Sequence, residues 1–334
     1  MNFHIPTSGR FIDLLKYNSE VFPNLSGLSI NIGSKGYDYV TLNWLQYYSL
    51  VVKMSSHLLN NLDIDFTSSR STIAVLSNPS TDYFFYTLGF MQLNFVPLHL
   101  STRISDDSCV HLLEKGNVSG ILVSEEFYER GIGLQNKLSD RIEVLKMKRL
   151  DYNEVMSIEL SASELLKVSN YTNFTNQGNE LSYYLHSTGS TSIHPKLIPI
   201  KNSVLFGQTS RPLQDSFEYP RKESMIAPLP LYHTAGQMFN LHRAIRWCQH
   251  IIAPPSLEGG ILNGAMILDL MDYIHFDIIN WLPKLMIELI DYCNTIPHAE
   301  GWDKLIKWGG SHEVGGAPLP QDYMDQFLNN GQKL

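Results

Sequence analysis

Between Ser71 and Val123 the chain alternates three short apolar runs with two helix-like stretches, and this alternation limits the fold more than any other feature. Ser71–Leu76 (STIAVL) is aliphatic and β-branched and reads as a buried strand. The polar turn SNPS follows, and Asp82–Met91 fits a helix. Asn94–Leu98 is a second strand, Ser105–Leu113 a second helix, and Gly120–Val123 a third strand. Asp106 and Asp107 fall in the first turn of that second helix, where the helix dipole favours a carboxylate. Strands separated by helices pair in parallel, because a right-handed crossover lays each helix back on the sheet. The expected fold class is therefore α/β, with layered sheets and helices on their faces.

Other segments are read by the same rules. Residues 1–40, broken by Pro6, Pro23, Gly27, Gly33 and Gly36, are expected to form an irregular lead-in. Thr41–Leu59 has helical apolar spacing with Thr41 as N-cap. Val144–Met147 is a candidate strand, and the polar run Ser157–Gly178 a surface excursion. Lys201–Gln208 reads as a helix, Met225–Ala227 as a short strand, and the chain beyond His233 as a helix reaching Cys248. Ala265–Leu270 reads as a strand and Ile274–Leu289 as a helix, in which Pro283 demands a boundary or a kink. Leu305, Ile306 and Trp308 suggest a strand, and Tyr323–Phe327 a helix.

The chemistry concentrates in Leu181–Ile200, LSYYLHSTGSTSIHPKLIPI. An apolar run ends at Leu185, a dense Ser/Thr/Gly turn follows, and a second apolar run returns after Pro195 and Lys196. Small residues, hydroxyls, backbone N–H groups and one cation suit a polyphosphate, whose oxygens need convergent donors and compensating charge. The spacing is not that of a P-loop, because no glycine directly precedes Lys196 and no hydroxyl directly follows it.

Ser187, Thr188, Gly189, Ser190, Thr191 and Ser192, followed by Pro195 and Lys196, resemble the phosphate-binding motif of adenylate-forming enzymes. That family includes acyl-CoA synthetases, luciferases and the adenylation domains of peptide synthetases. His186 and the Leu197–Ile200 run look most similar to its fungal carboxylic acid reductase branch. The chain departs from the pattern by Ser192 at a glycine position and by one extra residue before Pro195. Two further stretches are similar to family motifs. Tyr232 and His233, after a proline-rich turn, match an aromatic–His pair near the acyl substrate. Gly315, Gly316, Ala317, Pro318 and Leu319 match a turn at the adenine and ribose. The resemblance implies a partial large adenylation domain over residues 41–334, with the small C-terminal domain absent.

It also implies ATP and Mg2+ as cofactors, a small carboxylic acid as substrate and a thiol as acyl acceptor. Lys196 and His233 become the candidate catalytic residues; Ser187–Ser192, Lys196 and Gly315–Pro318 become the nucleotide-binding set. The family's magnesium glutamate, ribose aspartate and terminal lysine have no counterpart, so the metal ligands stay unknown. Two readings stand at this point. One is ATP-dependent adenylation of a carboxylic acid, impaired in a truncated chain; the other is an inactive fragment or protein-interaction module that retains at most nucleotide binding. An α/β hydrolase is disfavoured, since no G-x-S-x-G elbow occurs.

Charge narrows the partners. With 33 acidic residues against 25 Lys and Arg, the chain shows no basic stripe for nucleic acid. Cys109, Cys248 and Cys293 are odd in number and far apart, so reduced buried thiols are expected. The amino terminus lacks a basic segment followed by an apolar core, and Tyr83–Leu100 is interrupted by Gln92, Asn94 and Pro97. A cytoplasmic location with no membrane partner is the resulting expectation.

Overall fold

The computed structural model describes residues 6, 8–32, 37–61, 71–139, 141–149, 151–157, 161–170, 179–187, 194–209, 219–254 and 262–332. Their strands, in chain order, are β1 (Ser26–Asn31), β2 (Tyr39–Asn43), β3 (Thr72–Leu76), β4 (Val96–Leu100), β5 (Val118–Val123) and β6 (Glu143–Lys146). Then come β7 (Leu181–His186), β8 (Leu197–Lys201), β9 (Met225–Ile226), β10 (Ile251–Ile252), β11 (Ile278–Trp281) and β12 (Ser311–Val314). They fall into two units. The first holds Met1–Asn24, Trp44–Ser216 and Leu231–Thr234; the second holds Leu25–Asn43, Phe217–Pro230 and Ala235–Leu334.

The first unit is built on a sheet ordered β6-β5-β3-β4-β7-β8. All its pairs are parallel except β7 with β8, which run antiparallel. The expected strand–helix alternation is present, and capping explains where its helices begin. Ser80 accepts a hydrogen bond from Tyr83 N–H at 3.1 Å and opens the helix Thr81–Gln92. Ser105 does the same for Ser108 N–H at 3.3 Å and opens Asp106–Lys115. Ala74, Leu76, Leu98, Leu100, Leu112, Ile121 and Val123 pack into one core cluster. Each large aliphatic side chain buried there stabilises the fold by about 1.5–3 kcal/mol.

The second unit has a sheet ordered β12-β11-β9-β10-β1-β2, parallel except for β2 against β1. Phe276, Trp281, Leu289, Trp302 and Phe327 fill its core. Residues 1–40 are less irregular than expected: they supply a helix, Asp13–Val21, the strand β1 and the start of β2. Thr41 lies inside β2, and the helix starts at Trp44.

Three expectations around the second sheet are corrected. Ala265–Leu270 is a helix, Gly264–Leu270, because Asn263 caps it by accepting from Met266 N–H at 3.0 Å. A short apolar run fits either structure by periodicity, and the Asn N-cap is the deciding signal. Ile274–Leu289 divides into β11 and a helix, Pro283–Thr295. Pro283 takes the first helical turn, where a missing N–H costs nothing. The run containing Leu305, Ile306 and Trp308 is also a helix, Trp302–Trp308, ended by Gly309 at φ +65°. The strand is Ser311–Val314, so the segment WGGSHEV is helix cap plus strand and leads directly into Gly315.

Cys109, Cys248 and Cys293 are free and buried, as expected. Among the described residues no helix is long and apolar enough to cross a membrane.

Candidate functional site

In parallel α/β sheets, the turns beyond the carboxyl ends of the strands present backbone N–H groups and polar side chains to a ligand. In the first unit β4 ends at Leu100 and its neighbour β7 at His186. The His186 ring joins the two ends. Its Nε2 accepts from Ser101 N–H at 3.0 Å, and its Nδ1 lies 3.0 Å from the Ser187 carbonyl. A ring nitrogen that accepts a backbone N–H carries no proton, so Nδ1–H donates to Ser187. Burial lowers the His186 pKa, and the bond to Ser187 only partly offsets this, so the imidazole is neutral.

Ser187 and Lys196 close the base of the turn that follows. Ser187 N–H donates to the Lys196 carbonyl at 3.0 Å, and Lys196 N–H donates to Ser187 Oγ at 2.9 Å. Thr188, Gly189, Ser190, Thr191 and Ser192 lie outside the described residues. The Lys196 side chain is exposed. His194 stacks on His111 of the helix Asp106–Lys115, with ring centroids 4.7 Å apart, which anchors the exit of the loop.

His233 belongs to the same unit. Tyr232 is buried at its side, and the two rings meet edge to face at 4.8 Å. Burial lowers the His233 pKa, and the nearby His186 and Arg103 lower it further. His233 therefore offers a hydrogen-bonding ring rather than a fixed positive charge. Arg103, on the exposed turn after β4, is a basic group at this edge that sequence reasoning missed, because it stands in no motif spacing.

In the second unit the turn Gly315–Leu319 follows β12 directly. Gly315 N–H donates to the Trp281 carbonyl at 3.2 Å and ties the turn to the end of β11. Gly316 sits at φ +91°, a conformation that favours glycine. Gly315, Gly316, Ala317 and Pro318 are exposed, and among the described residues, its chain neighbours aside, none comes within 4 Å of where a Gly315 side chain would begin. Such a bare backbone surface fits the flat face of a nucleotide base. Pro320 occupies the N-cap of the helix Gln321–Asn329 that follows.

The turn before the helical run Thr234–Trp247 is fixed by Gly236. A Cβ there would lie 2.0 Å from the Pro230 carbonyl oxygen. A polar cavity of about 360 Å³ in this unit is lined by Arg221, Glu223, His275, Asp277 and Trp308. It opens at the amino ends of β9, β11 and β12, the edge away from the Gly315 turn, and Asp277 is already held there by Ser224 and His275. Among the described residues no group of three or more His, Cys, Asp or Glu side chains is placed to hold a metal ion.

Solved structures share this fold at low identity. The N-terminal domain of FACL13 from Mycobacterium tuberculosis superposes with a TM-score of 0.69 at 14% identity, over 96% of this chain and 73% of that one. A long-chain-fatty-acid-CoA ligase (FadD1) from Archaeoglobus fulgidus gives 0.74 at 14% identity, over 99% and 62%. The O-succinylbenzoate coenzyme A synthetase (MenE) from Bacillus subtilis, in complex with AMP, gives 0.68 at 14%, over 95% and 56%. The chain thus spans less than two thirds of the latter two enzymes. No curated protein matches it in sequence. The family model for AMP-binding enzymes matches residues 27–333, a span that takes in both sheets and every turn described above, and the chain belongs to the AMP-binding enzyme family.

Proposed function

We propose that this chain binds ATP and a carboxylic acid and joins them as an acyl-adenylate. The observation that carries the reading is the open turn Gly315–Pro318, pinned to Trp281 at the carboxyl edge of a parallel sheet, within a family match covering most of the chain. In this reaction a carboxylate oxygen bonds to the α-phosphorus of ATP, the bond to the β-phosphate oxygen breaks, and pyrophosphate leaves. ATP supplies the activated phosphorus.

The residues have separate tasks. The Gly315–Pro318 backbone takes the adenine side, where a larger side chain would obstruct a flat ring. The Ser187–Lys196 loop, its base held by the two hydrogen bonds between those residues, offers hydroxyls and the Lys196 charge to phosphate oxygens. A neutral His233 positions the carboxylate through a hydrogen bond without trapping it as a tight ion pair. No step is assigned through magnesium, for which the described residues form no ligand cluster. The acyl acceptor in this reading is a thiol, and the neighbours named as CoA ligases support that class.

Calorimetric titration with ATP and magnesium tests binding, and carboxylate-dependent exchange of pyrophosphate into ATP tests chemistry. Saturable binding that weakens in Lys196→Ala, together with exchange, supports the proposal. Binding without exchange leaves a nucleotide-binding module; no binding removes the proposal altogether.

A further inference from the structure

Acyl-adenylate formation makes no use of the polar cavity of about 360 Å³ at the amino ends of β9, β11 and β12. Ligand pockets run from about 300 to 1,000 Å³, so this one suits a small molecule rather than a polymer. One wall is the indole of Trp308, and it is held rigidly. Its Nε1–H donates to the Phe276 carbonyl at 2.6 Å, and a Cβ on Gly310 would come within 2.3 Å of the ring. The glycine after the helix cap Gly309 is therefore what lets the indole sit against the backbone. Phe276 and Ile278, both buried, continue the apolar lining.

The rest of the lining is ionic, and its charges do not cancel. Three carboxylates, Glu223, Asp277 and Glu313, line the cavity with one guanidinium, Arg221. Arg221 Nε donates to Glu223 at 3.3 Å, and Arg243 donates to Glu313 at 2.9 Å. Asp277 is the carboxylate left over. Ser224 N–H and Oγ–H donate to it at 2.7 and 2.8 Å, and His275 Nε2 lies 3.0 Å away. Among the described residues no lysine or arginine pairs with Asp277. Burial would raise its pKa, but the Ser224 and His275 bonds outweigh burial and hold it below the usual carboxylate value, so the group stays charged. The indole and this charge are neighbours, because Trp308 bonds the carbonyl of the residue directly before Asp277.

We propose that this cavity binds a small organic amine in its protonated form, the ammonium meeting Asp277 and the apolar body lying against Trp308. An indole face attracts a cation through its ring quadrupole, and a carboxylate beside it supplies the opposite charge and a hydrogen-bond acceptor. A metal ion is a poorer occupant, since among the described residues no group of three or more His, Cys, Asp or Glu side chains is placed to hold one. An anion would be repelled by the uncompensated carboxylate. Amine binding here requires neither ATP nor a carboxylic acid.

Benzylamine, benzyl alcohol and benzenesulfonate share a ring and differ in charge. Each is titrated into the isotope-labelled full chain, and the Trp308 indole N–H resonance, identified by its loss in Trp308→Phe, reports on the cavity. Benzylamine should shift that resonance saturably and bind about ten-fold more tightly than the alcohol, while the sulfonate leaves it in place. Asp277→Asn, which keeps an acceptor for Ser224, should weaken the amine by about ten-fold and leave the alcohol unchanged. Glu223→Gln, at the half-exposed rim, spares the Ser224 bonds and should weaken the amine by about two-fold; it decides the matter if Asp277→Asn does not fold. Equal affinity for amine and alcohol, an indole resonance that stays put as amine is added, or amine affinity unchanged in every variant that folds overturns the proposal.

Discussion

Ser187 and Lys196, nine residues apart, are locked together twice: the Ser187 hydroxyl accepts the Lys196 amide at 2.9 Å, and the Ser187 amide reaches the Lys196 carbonyl at 3.0 Å. The residue read from sequence as a phosphate ligand thus also clamps the loop mouth. Removing one such bond costs about 1 kcal/mol. Ser187→Ala should weaken ATP binding by about five-fold through a loosened loop, and Ser187→Thr should restore it. Lys196→Ala should weaken binding more, because it removes the charge itself. Titration calorimetry on the three variants checks the order; an Ser187→Ala protein with unchanged affinity would show that the clamp is irrelevant to the ligand.

Gly236 tolerates no side chain. Its Cβ would overlap the Pro230 carbonyl at 2.0 Å and crowd the Leu229 carbonyl at 3.0 Å, both rigid backbone. Gly236→Ala should therefore destabilise the chain by about 3 kcal/mol despite the better helix propensity of alanine. Thermal unfolding followed by circular dichroism measures this, with Gly133→Ala as the control, since among the described residues nothing beyond its own helix backbone and chain neighbours lies within 4 Å of a Cβ there.

The His186 tautomer is fixed by its partners, and burial holds the pKa of both His186 and His233 below the ordinary histidine value. Nitrogen-detected NMR should show the proton on Nδ1 of His186. Neither ring should titrate as pH falls from about 8 to the ordinary histidine value of about 6.5. Because their folded pKa values are lowered, protonation favours the unfolded chain. Their contribution is thus lost only as pH drops below about 6.5, and a pH profile of ligand binding should be flat above that point. A Nε2–H tautomer at His186 would contradict the assigned hydrogen bonds.

Trp281 Nε1–H donates to His312 Nδ1 at 2.9 Å inside the second core, and burial pushes the His312 pKa down to about 4. Protonation would place a second hydrogen against that indole donor. Between about pH 6.5 and 4 the unfolded state takes up the proton and the folded state does not, so stability should fall with pH across that window. Urea unfolding at several pH values should show a shallower acid loss in His312→Gln, which keeps an acceptor for Trp281 without titrating.

Periodicity and capping made the first sheet readable from the amino-acid order. Ser80, Ser105 and the β-branched run Thr72–Leu76 each act through neighbours a few positions away, so their signals are local. The same holds for the turn at Gly315, whose composition announces exposed backbone. The second sheet was harder to read. Short apolar runs such as Ala265–Leu270 satisfy strand and helix alike, and packing against partners distant in the chain decides between them: Gly264 becomes helical where its backbone meets Leu289.

The polar groups at the site belong wholly to tertiary structure. Nothing in the sequence around Asn280 marks it as buried; parallel pairing with Glu313 sets its face, and Glu313 in turn holds Arg243, 70 positions earlier. The chain by itself determined its family, its alternating strands and helices and the glycine turn at Gly315 that exposes its backbone, because those depend on near neighbours. Which side chains lose water and which imidazoles stay neutral depended on burial, and burial exists only once the sheets have formed.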